Sequence, residues 1–312
     1  MQLKPRQNGK PSLLFFWDYD TQWGADRSRS GAGPKNWGSL EFENTERLLD
    51  LHAQYQVASC FAVVGAAALP GERPYHDGQQ IREIRKAGHE IGSHAFKHEW
   101  LPGLNRQELI ATLRDSKDAL EQCIGEPVYS FIPPYNQPYD YPQGNSFSFS
   151  ERRQAGKRRT DLRQLCEALG ETGYRFCRVS YRPMQQRLAE RILGRRLDRP
   201  SRRENIAGIT CVRLNTSAGF DEPALRMLDR CVATGGTAVV YGHPHSIRAN
   251  GRQNESYLEV FLRRVSELRR AGKLEVKVPG DLIFDRDSLV EPVSHLPRSG
   301  NNGSAGAEQS LI

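Results

Sequence analysis

Short apolar runs alternate with amphipathic stretches along most of this chain, and this alternation limits its possible folds more than any other feature. The apolar runs predict seven or eight strands, and the stretches between them predict helices. The predicted strands are 13–17, 57–64, 90–94, 128–132, 174–180, 209–214, 237–243 and 274–278. The predicted helices are 44–55, 77–87, 105–123, 160–172, 221–234 and 254–271. Such alternation predicts an α/β protein with parallel strands, either a (β/α) barrel or an open doubly wound sheet.

The length of 312 residues is compatible with one large α/β unit and short additions to it. We expect the α/β unit over 13–290, an N-terminal extension over 1–12 and a disordered tail over 291–312, where Gly, Ser and Asn predominate. Two stretches interrupt the alternation. They are a polar loop insertion at about 137–160 and a basic segment at about 182–205 that has a helical pattern.

The net charge of +7 and the isoelectric point of about 9.1 raise the question of an anionic partner. The excess is concentrated in 151–159 and 182–203. No nucleic-acid-binding motif accompanies these stretches, so nucleic acid is not expected as a partner. A solvated, arginine-rich surface is the expected use of the charge, and binding of phosphate groups on a saccharide precursor is the alternative.

Several features bear on the compartment. No stretch approaches 18 uninterrupted apolar residues, so no membrane span is predicted. The first apolar run is short and runs directly into charged residues, so no signal peptide is expected. The six cysteines lie far apart, mostly in apolar segments, as is typical of reduced core residues. Together these features predict a cytoplasmic protein.

The first predicted strand ends in two aspartates, in the sequence FFWDYD. Side chains at alternate positions of a strand point to the same side, so Asp18 and Asp20 can share one site. Two neighbouring carboxylates repel each other, and a bound cation or a shared proton relieves the repulsion. Barrels and doubly wound sheets both place their chemistry at the carboxyl ends of the strands, where this pair is expected.

Two histidines follow the third predicted strand, in the sequence GSHAFKHEW. His94 and His98 are four residues apart, so one helical turn would bring both imidazoles to the same side. One carboxylate and two imidazoles suit zinc, cobalt, nickel or iron, with positions left open for water and substrate. Only one of the two aspartates is needed as a ligand, and the other is free to accept a proton.

Two further motifs follow later strands. FIPPYNQP is a rigid loop after the fourth predicted strand, and it could hold a backbone donor such as the Tyr135 amide toward an oxyanion. YGHPHSI follows the seventh strand and contains His243 and His245, either of which could protonate a leaving amine. The residues expected to line the substrate site are Trp23, Pro134, Asn136 and His245.

WDYD, SHAFKH, FIPPYN and YGHPH, in this order, resemble the motifs of the polysaccharide deacetylases, the NodB-homology or family-four carbohydrate esterases. Those motifs are an aspartate pair after strand one, HxxxH after strand three, an RPPY-like loop after strand four and a late strand that ends in histidine. The resemblance covers roughly residues 13–285. It implies an irregular (β/α) barrel of about seven parallel strands that removes N-acetyl groups from amino sugars in a saccharide or saccharide precursor.

The resemblance also implies a role for each motif residue. Asp18 would be the catalytic base, His243 the general acid, and Tyr135 the donor of a backbone N–H to the oxyanion. One divalent metal ion would be bound, with zinc the first expectation and cobalt, nickel or iron the others. The ligands of that ion would be Asp20, His94 and His98.

The chain departs from the family pattern at two points. Its aspartates form DxD rather than an adjacent pair, which resembles the branch of peptidoglycan deacetylases and allantoinase-like proteins. The arginine that usually tethers the base is replaced by Ile132. Asp18 would therefore need another partner, for which Arg178 and Asn136 are the candidates.

Two other functions compete with deacetylation. DYDT also resembles the first motif of the haloacid dehalogenase-type phosphatases, with Asp18 as nucleophile, and Gly280, Asp281 and Asp285 match their GDxxxD magnesium motif. Magnesium prefers all-oxygen ligands and leaves the histidine pairs unexplained, so we rank this function second. The third alternative is a non-catalytic saccharide-binding relative of the deacetylases, which the replacement at Ile132 keeps open.

Overall fold

The computed structural model describes residues 10–28, 36–136, 161–180, 184–193, 198–247 and 251–284. The predicted N-terminal extension lies mostly outside these residues. The loop insertion at about 137–160 and the tail over 291–312 lie wholly outside them. No helix in the described part of the chain is both long enough and apolar enough to cross a bilayer.

The described strands form one curled sheet. They are β1 (Ser12–Tyr19), β2 (Cys60–Val63), β3 (Glu90–Ser93), β4 (Ser130–Phe131), β5 (Phe176–Val179), β6 (Arg203–Ile206), β7 (Ile209–Arg213), β8 (Thr237–Gly242) and β9 (Glu275–Lys277). Their order is β6-β7-β5-β4-β3-β2-β1-β8, and β9 pairs with the first half of β1. Of the pairings between these strands, only that of β6 with β7 is antiparallel.

Helices connect the parallel strands, as the alternating pattern predicts. They are α1 (Thr21–Ser28), α2 (Trp37–Tyr55), α3 (Gly78–Lys86), α4 (Arg106–Ile124), α5 (Leu162–Glu171), α6 (Met184–Leu193), α7 (Glu222–Thr234), α8 (Glu255–Arg270) and α9 (Pro279–Phe284). α4 begins with a capping box, in which the Asn105 side chain accepts from the Glu108 N–H and the Glu108 carboxylate accepts from the Asn105 N–H. These reciprocal bonds satisfy N–H groups at the helix start.

Side chains of β1 alternate between two apolar cores. Leu13 and Phe15 pack with the helices in the outer core, whereas Leu14 and Phe16 face the interior of the curled sheet. All eight residues of β1 are buried. Because side chains two residues apart share a face, Asp18 continues the inward row of Leu14 and Phe16 toward the carboxyl end of the sheet.

The two edges of the sheet are linked, so the sheet curls into an irregular barrel. Ser201 and Thr237 exchange backbone hydrogen bonds of 2.7 and 2.9 Å between the segment before β6 and the start of β8. The Asn215 side chain donates to the Thr237 carbonyl at 2.9 Å and accepts from the Val239 N–H at 2.9 Å. The prediction of an α/β fold of the irregular (β/α) barrel type is therefore confirmed.

The structure corrects several predicted boundaries. α2 begins at Trp37 rather than at residue 44, and neither α1 nor α9 was predicted. Among the described residues of the basic segment at about 182–205, α6 is helical, and the antiparallel strand β6 begins at Arg203. Polar residues are frequent in α1 and in the first turns of α2, and some of them are buried, so the hydrophobic period there is weak.

Candidate active site

Chain segments that are distant in sequence meet at the carboxyl ends of β1, β3, β4 and β8. Asp18 is the second-last residue of β1, and Asp20 directly follows that strand. His94 directly follows β3. His243 follows β8 in the same way. Parallel strands place their carboxyl ends at one edge of a sheet, so these side chains are brought together by the fold.

Asp20, His94 and His98 form a compact, buried group. The Asp20 Oδ1 atom lies 3.3 Å from His94 Nε2 and 3.5 Å from His98 Nε2. The three potential ligand atoms all lie within 4.8 Å of one another. Each residue is at most 3% exposed. The sequence-predicted ligands are therefore close enough to share one ion.

The hydrogen bonds of this group fit a divalent metal ion. His94 Nδ1 lies 2.6 Å from the Ile132 carbonyl, which accepts its proton and leaves Nε2 as the available ligand atom. Among the described residues, Asp20 Oδ1 is buried without a hydrogen-bond partner. A buried carboxylate oxygen without a donor is costly, and a cation at the centre of the group would satisfy it. One carboxylate and two imidazoles are borderline and hard donors that suit zinc, cobalt, nickel or iron.

Electrostatics favour the metal-binding forms of these side chains. Burial alone would raise the pKa of Asp20, but the imidazoles of His98 and His94 lower it below its ordinary value. Burial lowers the pKa of His98 to about 3. Near neutral pH, therefore, Asp20 is ionised and His98 is neutral, and these are the forms that coordinate a metal.

The backbone around the group is held in the left-handed region. Ala95 and His98 have φ of 64° and 58°, and Thr21, directly after Asp20, has φ of 53°. Such conformations are uncommon for residues other than glycine and persist where surrounding structure enforces them. The space behind Asp20 is also tight, because a Cβ added to Gly24 would lie 2.5 Å from the Asp20 Cβ.

Asp18 is held by a bidentate ion pair with Arg178 of β5. The Arg178 Nη1 and Nη2 atoms donate to the two Asp18 oxygens at 2.8 and 2.7 Å. The residue Arg178 is 2% exposed. Its guanidinium carbon lies 5.1 Å from the centroid of the Phe16 ring and 4.8 Å from the centroid of the Tyr241 ring. Arg178 Nη2 also donates to Asn136 Oδ1 at 3.1 Å. Arg178 thus contacts Asp18 directly, and Asn136 supports it.

The replacement of the usual arginine by Ile132 therefore leaves Asp18 paired. Ile132, directly after β4, belongs to the inner apolar core and brings no charge to Asp18. Burial alone would raise the pKa of Asp18, but the Arg178 guanidinium, with His94 and His243 beside it, holds that pKa below its ordinary value. Asp18 is consequently an ionised, oriented carboxylate next to the Asp20 group.

The two histidines of YGHPHSI lie in different environments. The His243 side chain is 25% exposed, and its Nε2 atom lies 4.0 Å from Asp18 Oδ2. His245 is 2% exposed, and its Nδ1 atom lies 3.6 Å from Glu41 Oε2. The centroid of the Trp37 ring lies 3.8 Å from that of His245. His243 therefore faces the site, whereas His245, expected to line the substrate site, is enclosed behind it.

Glu41 of α2 is a buried carboxylate of the site that sequence reasoning missed. It is fully buried, and its Oε2 atom accepts from the Thr21 N–H at 2.5 Å. Burial raises its pKa well above the ordinary value, and the nearby charge of Asp20 adds to the shift. The available signal was a glutamate next to the apolar residue Phe42. Because the predicted helix began at residue 44, Glu41 was not considered as a helix residue that faces the site.

The remaining predicted residues surround this group. Tyr135 has φ of 57°, and its ring centroid lies 4.5 Å from that of His98. Pro134 is buried, and Asn136 donates to the Tyr241 hydroxyl at 2.9 Å. Trp23, in the first turn of α1, is partly buried. The loop after β4 thus lies against the metal-ligand group and the Arg178 pair.

The rival GDxxxD motif lies elsewhere. The Gly280 N–H donates to Glu90 Oε2 at 2.7 Å, and Glu90 is the first residue of β3. The Asp281 carboxylate accepts from the Val278 N–H at 2.9 Å. Asp285 lies outside the described residues. Gly280 and Asp281 are therefore at the amino end of β3, whereas Asp18 is at the carboxyl end of β1.

Fold and site together describe a (β/α) barrel in which carboxylates and imidazoles meet at the carboxyl ends of the strands. Known proteins resemble this chain in sequence or in fold. Residues 33–143 match the family model for polysaccharide deacetylase. The crystal structure of a Mycobacterium smegmatis protein provisionally described as a polysaccharide deacetylase superposes with a TM-score of 0.62 at 17% identity, over 97% of this chain and 100% of that one. The family model thus covers 111 of the 312 residues, and the likeness to the solved structure is one of fold.

Curated relatives match over a shorter span. The peptidoglycan-N-acetylglucosamine deacetylase of Bacillus cereus is 30% identical over 90 residues, which is 29% of this chain and 39% of that protein. The uncharacterized protein YlxY of Bacillus subtilis is 30% identical over 98 residues, 31% of this chain and 28% of that protein. The matched segment therefore spans less than half of either relative.

Proposed function

We propose that this protein is a metal-dependent hydrolase that removes the N-acetyl group from an amino sugar in a saccharide or saccharide precursor. The observation that carries the proposal is the division of labour between the two aspartates. Asp20 converges with His94 and His98, while Asp18 is paired with Arg178 and lies beside His243. Amide hydrolysis needs an electrophilic centre, a base and an acid within one site, and this arrangement offers all three.

Asp20, His94 and His98 would hold one divalent ion, with zinc the first expectation and cobalt, nickel or iron the others. When bound, such an ion supplies Lewis-acid polarisation of the acetamide carbonyl. The chain supplies the remaining groups. We propose residues 13–290 as the unit that carries them all.

Asp18 is the proposed base. Its carboxylate is ionised, because Arg178 lowers its pKa, so it can accept a proton from the attacking water. The two hydrogen bonds from Arg178 fix the plane of the carboxylate. A fixed orientation lowers the entropic cost of reaching the transition state.

His243 is the proposed acid, and Tyr135 the proposed oxyanion donor. An imidazole can protonate the departing amine near neutral pH, and His243 is the histidine of the pair that is open to the site. The left-handed conformation of Tyr135 is held within the buried loop after β4, and its backbone N–H is the donor that we assign to the oxyanion.

The name of the Bacillus cereus relative supports an N-acetylated amino sugar as substrate. The six cysteines are free thiols, five of them buried, which supports a reducing compartment and hence a saccharide precursor rather than a mature wall polymer. The phosphatase alternative loses support from the placement of Gly280 and Asp281 at the amino end of β3.

The test is acetate release from a panel of N-acetylated saccharides, measured together with the metal content of the same samples. Asp18→Asn should retain the metal and lose turnover at least 100-fold, because only the base is removed. His98→Ala should lose metal and turnover together, because two ligands hold a divalent ion poorly. Normal turnover by Asp18→Asn would remove Asp18 as the base. Saccharide binding without acetate release by metal-loaded wild-type protein would instead support the non-catalytic alternative.

A further inference from the structure

Lys97 lies in the sequence between the two histidines of the proposed metal group, and the described part of the chain gives its ammonium group no carboxylate partner. Among the described residues, no carboxylate oxygen lies within 4.0 Å of its ammonium group, whereas the lysines Lys10, Lys117 and Lys277 all have one. Lys86 and Lys273 also lack one within the described ranges, but they are exposed. Lys97 is partly buried.

The Lys97 ammonium group rests on aromatic faces. Its Nζ atom lies 5.0 Å from the Trp23 ring centroid and 5.5 Å from that of Phe96. An aromatic face attracts a cation but leaves its charge uncompensated and its N–H groups free to donate. A partly buried ammonium of this kind gains strongly from a charge-assisted hydrogen bond to an anion.

The backbone around Lys97 is held in place by hydrogen bonds. The loop that carries Lys97 is tied by the Gly65 N–H to the Ala95 carbonyl at 2.9 Å and by the Ala66 N–H to the Phe96 carbonyl at 2.8 Å. The Lys97 N–H itself donates to the Glu99 carboxylate at 2.8 Å. Little ordering is therefore left to be done when a ligand binds.

Trp23 is fixed in a similar way. Its ring centroid lies 5.1 Å from that of Tyr75 and 5.8 Å from that of His76, both in edge-on contacts. Trp23 follows Asp20 by three residues and Lys97 directly precedes His98, so the pair adjoins the proposed metal ligands through the chain itself.

We propose that Lys97 and Trp23 form a subsite for an anionic group of the substrate. The saccharide that is deacetylated then carries a phosphate or a carboxylate close to the reacting amino sugar. This inference rests on the proposed function and specifies its substrate class. Arg178 is already neutralised by Asp18, so Lys97 is the cation that this part of the described site offers to a ligand.

The test is calorimetric binding of three probes to the full chain: N-acetylglucosamine 1-phosphate, N-acetylmuramic acid and neutral N-acetylglucosamine. We expect an anionic probe to bind roughly tenfold more tightly than the neutral one, as for a hydrogen bond to a charged group. Added salt should reduce that preference. A preference for the phosphate, for the carboxylate or for both supports the proposal and identifies the source of the charge.

Variants test whether Lys97 causes the preference for anionic probes. Lys97→Met should abolish it, and Lys97→Arg should retain it because the charge remains. Lys86→Met, which removes an exposed lysine of α3, is the matched control and should behave as wild type. Absence of any charge preference in the wild type, absence of binding by both anionic probes, or a preference that survives in Lys97→Met would overturn the proposal.

The outcome is separable from that of the proposed function, because acetate release is measured on the same samples. Release without charge preference would refute the subsite and leave deacetylation standing. Charge preference that depends on Lys97, without release from any probe or from the saccharide panel, would support the subsite and refute deacetylation.

Discussion

The ion pair between Asp18 and Arg178 joins two residues that are distant in sequence. The two residues are 160 positions apart in the chain and lie on different strands. Arg178 reaches Asp18 through the interior of the barrel, between the rings of Phe16 and Tyr241. Both charges are almost fully buried, so each depends on the other for compensation.

Removal of Arg178 should damage stability and activity together. In Arg178→Met, the Asp18 carboxylate stays buried without its partner, and we expect a loss of about 3–5 kcal/mol in the free energy of unfolding. The pKa of Asp18 should rise, because burial is then opposed only by the histidines. Urea unfolding of the metal-free protein measures the first effect, and the pH profile of acetate release measures the second.

A double mutant separates this pair from general damage to the core. Asp18→Asn in the Arg178→Met background removes the stranded charge, so the double mutant should unfold less easily than Arg178→Met alone. Arg175→Met is the matched control, because Arg175 precedes the same strand and stacks on Tyr129 near the surface. Equal losses in the free energy of unfolding for Arg178→Met and Arg175→Met would show that the buried ion pair stabilises the fold no more than a surface arginine does.

At the scale of elements, α2 contacts the segments that follow the carboxyl ends of β1 and β8. Those two ends carry the groups proposed for metal binding and catalysis. Glu41 accepts from the Thr21 N–H in the turn after Asp20. Asn44, one turn later in α2, donates to the Pro244 carbonyl at 2.8 Å in the loop after His243. One helix face thus positions both the turn that directs Asp20 and the loop that carries His243.

Glu41 should therefore influence metal affinity without being a ligand. Glu41→Ala removes the acceptor for the left-handed Thr21 turn, and we expect metal affinity to fall about 10–100-fold, as for other residues that orient ligands. Glu41→Gln keeps an acceptor oxygen and should stay close to wild type. Calorimetric titration with zinc measures the affinity.

The control for this prediction is Glu43→Ala on the exposed face of the same helix, which should bind zinc as the wild type does. Thermal unfolding of the metal-free variants shows whether Glu41→Ala has disturbed the fold as a whole. Wild-type zinc affinity in Glu41→Ala would show that the Thr21 turn does not need this carboxylate.

At the scale of the whole molecule, the end of the barrel opposite the site is closed by α9. Leu282 of this short helix belongs to the inner core, and its carbonyl accepts from Arg203 Nη1 at 2.7 Å. Glu90, at the start of β3, accepts from the Gly280 N–H and bonds to the Ser130 hydroxyl. Burial raises the pKa of Glu90 to about 7.

This raised pKa predicts a pH-dependent stability. Between its ordinary value of 4.5 and about 7, Glu90 binds a proton in the folded chain but not in the unfolded one, so its contribution to stability falls as the pH rises. Glu90→Gln should remove that dependence. Relative to wild type, the variant should gain about 3 kcal/mol in the free energy of unfolding between pH 4.5 and pH 8.

Urea unfolding at pH 4.5, 6 and 8 measures this difference, and Glu43→Gln on the exposed face of α2 is the control. A constant difference between Glu90→Gln and wild type at the three pH values would contradict the raised pKa. Because metal affinity depends on pH, the measurement is made on metal-free protein.

Local patterns were sufficient to predict all the described strands except β6, and most of the described helices. The inward row that ends in Asp18 follows from the two-residue period of a strand, and the order of the motifs places the histidine pairs at the same edge. The irregular barrel was predicted less directly, through the family resemblance carried by those motifs, and the order of the strands in the sheet was not predicted. Where buried polar residues serve the site, as in α1 and the first turns of α2, the local pattern conflicts with the fold, and the predicted boundary was wrong.

By itself, the sequence of this protein determined the α/β class, the inward row of β1 and the set of side chains available for chemistry, because these depend on neighbours within a few residues. Only the tertiary structure decided which partners those side chains have. Arg178 rather than a residue of the β4 loop contacts Asp18, Glu41 supports the turn after Asp20, and His243 rather than His245 faces the site. Contacts between residues tens to hundreds of positions apart depend on how the sheet curls and closes, and no local period of the sequence encodes that geometry.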